Sequence, residues 1–211
     1  MGYYHFNFHY KNNGNRIIVG PKGTGKTTLT HFLLAQSLKF DIKIIYIDLE
    51  SRSDKFLKSI NGNTVKLEKD KESPIQIDLL NIDNYDGKVN WFADLLLKIC
   101  AHNDLHRSNN KDYIEKFNNL AKELIDIKSY DEKMKLLENF IEASNDITLK
   151  TNYKKFFQSD FFDKFFKKDE TTIFNNEKYL GIDFAAIADL SELFNPFLGL
   201  LLAKLPKFLT G

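Results

Sequence analysis

Apolar positions along this chain change their spacing several times, and each change marks an element. Ile42-Lys43-Ile44-Ile45-Tyr46-Ile47-Asp48 is a β-branched run of strand character that ends in an acid. Upstream, Arg16-Ile17-Ile18-Val19 reads as a short buried strand. Tyr3 to Tyr10 carries an aromatic residue or His at most positions, and Asn12-Asn13-Gly14 supplies a hairpin turn into the next strand. Between the two strands, Thr28 to Leu38 has the spacing of a helix with one apolar face. Ser53 to Ile60 follows as a short helix closed by Asn61-Gly62, and Thr64-Val65-Lys66-Leu67 as a further strand. Strand and helix in alternation predict an α/β domain with a mostly parallel sheet.

After this the pattern turns helical. Val89 to Ala101 is an apolar helix. Lys111 to about Lys168 is charge-rich and helical, with breaks near Ser129 and across Ser144 to Thr151, which makes three or four helices. Phe156, Phe157, Phe161, Phe162, Phe165 and Phe166 form a wide apolar face there. The interspersed Asp160 and Asp163 favour packing on a core or a neighbouring subunit over a membrane surface. Strand character returns at Tyr179-Leu180-Gly181-Ile182-Asp183, and a helix fills Pro196 to Leu209. The expected organisation is residues 1–100 as an N-terminal hairpin and α/β core, 101–170 as an inserted helical lobe, and 171–211 as the return to the core.

One segment carries chemistry. Gly20-Pro21-Lys22-Gly23-Thr24-Gly25-Lys26-Thr27 fits the phosphate-loop pattern G-x-x-x-x-G-K-[ST] at every fixed position. It lies between an expected strand and an expected helix, the context that the pattern requires. Its glycines let backbone N–H groups close on phosphates, and the positive helix end at Lys26, Thr27 and Thr28 faces them. Lys26 would reach the β- and γ-phosphates of ATP, and the Thr27 hydroxyl would bind Mg²⁺.

Composition narrows the setting. The 211 residues are 43% hydrophobic, enough for one sizeable core, and carry a formal charge of only +1. That balance gives no direct nucleic-acid signal. Arg16, Arg52 and Arg107 are the only arginines, which leaves few donors for a bidentate phosphate clamp. Cys100 is the only cysteine, so no intrachain disulfide forms, as suits a reducing cytoplasm. No signal pattern opens the chain, and the apolar run from Pro196 to Leu205 is too short for a transmembrane segment.

The chain resembles the cytoplasmic ATPases of type IV secretion and conjugation machines, the CagE/TrbE/VirB family. The likeness is carried by Tyr4-His5-Phe6-Asn7-Phe8-His9, by Gly20 to Lys26, by Leu33-Leu34-Ala35-Gln36 and by Ile45-Tyr46-Ile47-Asp48. An altered Asn-Pro-Leu signature stands at Ile77-Asp78-Leu79, and Gly181-Ile182-Asp183-Phe184 matches a Gly-x-Asp segment. The resemblance implies a RecA-like P-loop core and ATP with Mg²⁺ as cofactors. It further implies ring-like oligomers, hexamers in the full-length protein, docked at the inner membrane through partner subunits. There they would energise pilus assembly or macromolecule transfer. In that family the strand with the second acidic motif follows the helix that here ends near Leu209. The expectation is therefore a front part of the ATPase domain, truncated before that motif. A sheet cut there keeps an open apolar edge and is expected to self-associate.

Hydrolysis also needs an acid on the metal and a group that orients water. Asp48, at the end of its strand, is the candidate for the first role, with Glu50 as base; the alternative is an acid solvated at the mouth of the sheet. Asp183 is a weaker candidate. His102, Asp104 and His106 read as a solvated helix end, and His5 and His9 as packing residues, rather than metal ligands. Two other functions fit the phosphate loop: a generic AAA-type ATPase, and a nucleotide-binding remnant without turnover.

Overall fold

A computed structural model describes residues 17–81, 89–101, 110–166 and 177–210. The described chain divides into two compact units at the Ile42–Lys43 boundary. The first holds the glycine loop, helix α1 (Lys26–Ser37) and a short 3-10 turn at Leu38–Phe40. The expected hairpin over residues 3–14, with His5 and His9, lies outside the described residues. The expected strand at residues 16–19 is not formed over its described part. Ile17 and Val19 are 89% and 87% exposed and in no ladder. A three-residue apolar run becomes a strand only when another strand satisfies its N–H and C=O groups.

The second unit is built on a parallel sheet of β1 (Ile44–Asp48), β2 (Asn63–Lys66) and β3 (Tyr179–Asp183), in the order β1-β3-β2. Strand β3, last in sequence, sits in the middle. Its residue Asp183 is in register with Asp48 on one side and Lys66 on the other. Helix α2 (Asp54–Ser59) joins β1 to β2 and rests on β3 at Gly181. A Cβ at Gly181 would run into Leu57 Cδ1 and stand 3.2 Å from Thr64 Oγ1. The glycine therefore sets how closely α2 approaches the sheet.

Between β2 and β3 the described chain is largely helical: α3 (Val89–Ala101), α4 (Lys111–Asp126), α5 (Tyr130–Ala143), α6 (Ile147–Phe157) and α7 (Asp160–Phe165). The expected break at Ser129 is an N-cap, its Oγ accepting the Glu132 N–H at 3.4 Å. The break expected over residues 144–151 is narrower, because the Asp146 carboxylate caps α6 by accepting the Thr148 and Leu149 N–H groups. Helix α3, apolar nearly all round, is the hub, packing against α4, α6 and the last helix α8 (Ser191–Thr210). The phenylalanines of α6 and α7 turn inward. Phe157, Phe162, Phe165 and Phe166 are buried, and Phe165 meets Phe197 of α8 edge-on at 5.6 Å. Phe184, next after β3, packs on Phe194 and Phe197, so one aromatic chain ties the sheet to both α7 and α8. Among the described residues no helix is long and apolar enough to cross a membrane.

Because Leu57 is fully buried, it has little room to yield to a new methyl group at position 181. Gly181→Ala should lower unfolding free energy by about 1–3 kcal/mol, as overpacking of a tight core does. In the Leu57→Ala background the added cost should largely vanish. Urea unfolding of the four proteins measures both; a Gly181→Ala midpoint equal to wild type would show that α2 does not rest on that residue.

Candidate functional site

The glycine loop is shaped by two left-handed residues, Gly23 at φ 85° and Gly25 at φ 86°. Any side chain there would strain the turn. Gly25 is also the N-cap of α1, and no side chain caps the helix. No acid stands in its first turn either. The amide-rich end of a 12-residue helix is thus left to whatever anion the loop receives. Thr27 is half-buried and Thr28 exposed at the start of α1, while Pro21, Lys22, Gly23 and Thr24 are exposed.

Lys26 does not extend into solvent. Its Nζ donates to the Gly20 carbonyl at 2.7 Å and to the Pro21 carbonyl at 2.8 Å. Thr24 Oγ1 donates to the same Pro21 oxygen at 2.8 Å. The ammonium lies inside the curl of the loop, held by carbonyls whose place phosphate oxygens could take. The donor set suits a polyphosphate: one ammonium, one hydroxyl at Thr27 and uncapped amides on a glycine frame that leaves space.

Asp48 ends β1, only 5% exposed. Its Oδ1 accepts the Glu50 N–H at 3.0 Å, and its Oδ2 accepts those of Arg52 and Ser53, each at 2.6 Å. The acid is therefore not solvated at the mouth of the sheet; it gathers the following turn around itself, with Ser51 left-handed at φ 55°. Burial pushes the carboxyl pKa up, but the hydrogen bonds donated to the carboxylate, that of the Glu50 N–H first, outweigh it and hold the group below the ordinary value. Glu50 points outward and pairs with Arg52 at 2.9 Å, both side chains about half exposed. Asp183 does on β3 what Asp48 does on β1: its Oδ1 accepts the Ala185 N–H at 3.0 Å. The two buried acids end neighbouring parallel strands, the end at which open α/β sheets bind ligands.

Sequence reasoning missed the turn built on Asp48. The signal was an aspartate followed within five residues by Ser51 and Ser53, the composition of a turn in which a side chain caps backbone N–H groups. It also missed a buried polar knot around Ile77-Asp78-Leu79. The Asp78 carboxyl accepts the Leu80 and Asn81 N–H groups, while buried Lys133 and Lys204 donate to the Leu80 and Asn81 carbonyls at 2.8 and 3.1 Å. Burial raises the Asp78 pKa against those bonds and the two lysines. His102, Asp104 and His106 lie outside the described residues; among those described, no group of three candidate ligands could hold a metal ion. A cavity of about 370 Å³ between α3, α6 and α8, with Trp91 and Phe156 in its wall, contains none of the residues expected to act.

No protein-family model matches the chain. Over 59 residues it is 39% identical to the type IV secretion system protein virB4 of Bartonella quintana (strain Toulouse), and equally so to that of Bartonella henselae. The match covers 28% of this chain and 8% of each relative, so it spans less than a tenth of their length. Among solved structures, VirB4 of Thermoanaerobacter pseudethanolicus matches 84% of this chain and 72% of its own, with a TM-score of 0.52 at 13% identity. That second likeness is one of fold: a small parallel sheet with many helices. Local sequence and overall architecture agree, and the chain is VirB4-like, as the resemblance implied.

Asp48→Asn tests the turn. An amide offers one acceptor to three N–H groups and sets its own N–H₂ against some of them, so unfolding free energy should fall by about 1–3 kcal/mol at neutral pH. The sign with pH follows from the lowered folded value. The carboxylate stabilises the fold above its ordinary value of 3.8, and this contribution is lost as pH falls through the lower folded value. Acid unfolding of the variant should lack that part of the pH dependence. Unchanged stability at pH 7 would mean the turn holds without Asp48.

Proposed function

We propose that this VirB4-like chain binds ATP with Mg²⁺ through residues 20–28 and is the nucleotide-binding part of a type IV secretion motor. The reading takes the glycine loop, α1 and the parallel sheet as parts of a RecA-like P-loop core. The observation that carries it is the loop itself: left-handed Gly23 and Gly25, an uncapped α1, and a lysine already turned inward. Backbone N–H groups from Gly23 to Thr28 would take the phosphate oxygens, and Lys26 would exchange its two carbonyl acceptors for phosphate. The Thr27 hydroxyl is the oxygen ligand suited to Mg²⁺, which when bound offsets the charge of the phosphates and of the transferring group.

In this reading Asp48 and Glu50 divide the acidic role. Asp48, committed to three N–H groups, fixes the turn, and Glu50 is the acid that the turn presents. Turnover would power pilus assembly or transfer of macromolecules, with the protein in a hexameric ring on the cytoplasmic side of the inner membrane, held by other secretion subunits. A second reading, a nucleotide-binding remnant without turnover, is favoured by the engagement of both Asp48 oxygens with backbone, which leaves this acid poorly placed to take a metal.

Calorimetric titration with ATP and Mg²⁺ tests the reading. The wild-type chain should bind saturably and Lys26→Ala at least about tenfold more weakly, since a charge-assisted hydrogen bond is worth roughly 1.5–3 kcal/mol. No saturable binding, or equal binding by both proteins, would contradict it. Phosphate release in the same samples separates the motor from the remnant.

A further inference from the structure

The Pro21 carbonyl receives three donors, the Thr24 N–H at a long 3.5 Å and two side chains that have different prospects. Lys26 Nζ, at 2.8 Å, is the group expected to leave for phosphate; Thr24 Oγ1, also at 2.8 Å, is not. Residue 21 is a proline, with a carbonyl to satisfy and no N–H to offer a ligand. When Lys26 turns away, an oxygen losing its partner resists the change, because an acceptor stripped of its bond costs more than the bond contributed. The Thr24 hydroxyl, at 2.8 Å a much shorter bond than the 3.5 Å one from the Thr24 N–H, keeps that oxygen well bonded throughout.

The same hydroxyl explains the neighbour across the loop. A Cβ at Gly20 would stand 2.9 Å from Thr24 Oγ1, with Lys26 Cγ and Cδ next at 3.8 Å. A side chain at position 20 would therefore have to displace the Thr24 hydroxyl, beside the carbonyl that Gly20 gives to Lys26. Neither Gly20 nor Pro21 has positive φ, so glycine at position 20 is required by this close approach and not by its backbone angle.

We infer that Thr24, at a variable position of the phosphate-loop pattern, is a positioning residue for Lys26: it holds the Pro21 carbonyl while the lysine passes to phosphate, and is the reason for glycine at position 20. The inference rests on the reading of this loop as a phosphate site. It implies energetic coupling between two residues that no motif links.

Titration of the full chain with ATP and Mg²⁺, and separately with inorganic pyrophosphate and Mg²⁺, provides the test. Thr24→Val should bind both about five- to tenfold more weakly, the effect of one hydrogen bond, while Thr24→Ser should stay within about twofold of wild type. Rescue by serine and failure of the isosteric valine separate a hydrogen bond from mere bulk. Gly20→Ala should cost a similar factor in the wild-type background by displacing the hydroxyl, and less than about twofold in Thr24→Ala, where no Oγ remains to displace. Circular dichroism of each variant without ligand should match wild type, as an exposed loop residue predicts. Wild-type affinity in Thr24→Val, or an equal cost for Gly20→Ala in both backgrounds, would overturn the inference while leaving the phosphate site standing. If wild type binds neither ligand, or Lys26→Ala binds as well as wild type, the inference falls together with the reading beneath it.

Discussion

The second unit depends on β3 reaching the middle of its sheet. Strands β1 and β2 are close in sequence but do not pair with each other; among the described residues each pairs only with β3, which follows after residues 67–178 have passed. The parallel ladder therefore closes late and over a long loop, an entropic cost that local contacts cannot offset. Compensation comes from the middle of the strand and from the residue just after it. Gly181 admits Leu57 of α2 onto one face, and Phe184 carries the chain into the aromatic contacts with α8. Parallel pairing also places Asp48 and Asp183 side by side at the carboxyl end of the sheet.

The two candidate regions solve one electrostatic problem from opposite sides. At the glycine loop a cation is held by carbonyl oxygens; beyond β1 an anion is held by N–H groups. Backbone dipoles stabilise both charges. The difference is in exposure. The Lys26 ammonium is bound on an exposed loop where a competing anion can reach it, whereas Asp48 is buried and tied to three amides. The first arrangement suits exchange and the second suits permanence, which is why the proposed binding role falls to the loop and a supporting one to Asp48. The knot at Asp78 is of the second kind, with Lys133 and Lys204 joining α5 and α8 to the segment after β2.

Much of the element plan was legible because it is local. Val89–Ala101 and Tyr179–Asp183 occur with the boundaries that their periodicity predicts, and β1, β2 and the helices after residue 110 differ by a few residues at their ends. Ser129, Asp146 and Ser159 cap helices where polar residues interrupted the apolar pattern. Strand order was not legible, since nothing in β1 or β2 records a partner more than a hundred residues away. The apolar character of Ile17-Ile18-Val19 suggested a strand, but character alone forms no ladder. Nothing local marks Lys133 and Lys204 as partners of buried carbonyls; their long stems let the ammonium groups reach them. The sharp turn of the glycine loop was legible, because the left-handed backbone at Gly23 and Gly25 is written in residue type. The Thr24 contact was not, because the pattern leaves that position open.

The central claim is that this loop receives phosphate through its own amides. Amide hydrogen exchange, with and without ATP and Mg²⁺, tests it at the atoms concerned. Protection should rise at residues 23–28, and in Lys26→Ala the same rise should need at least about tenfold more nucleotide. Protection that appears elsewhere in the chain but not in the loop, or none at all under saturating nucleotide, would contradict the account.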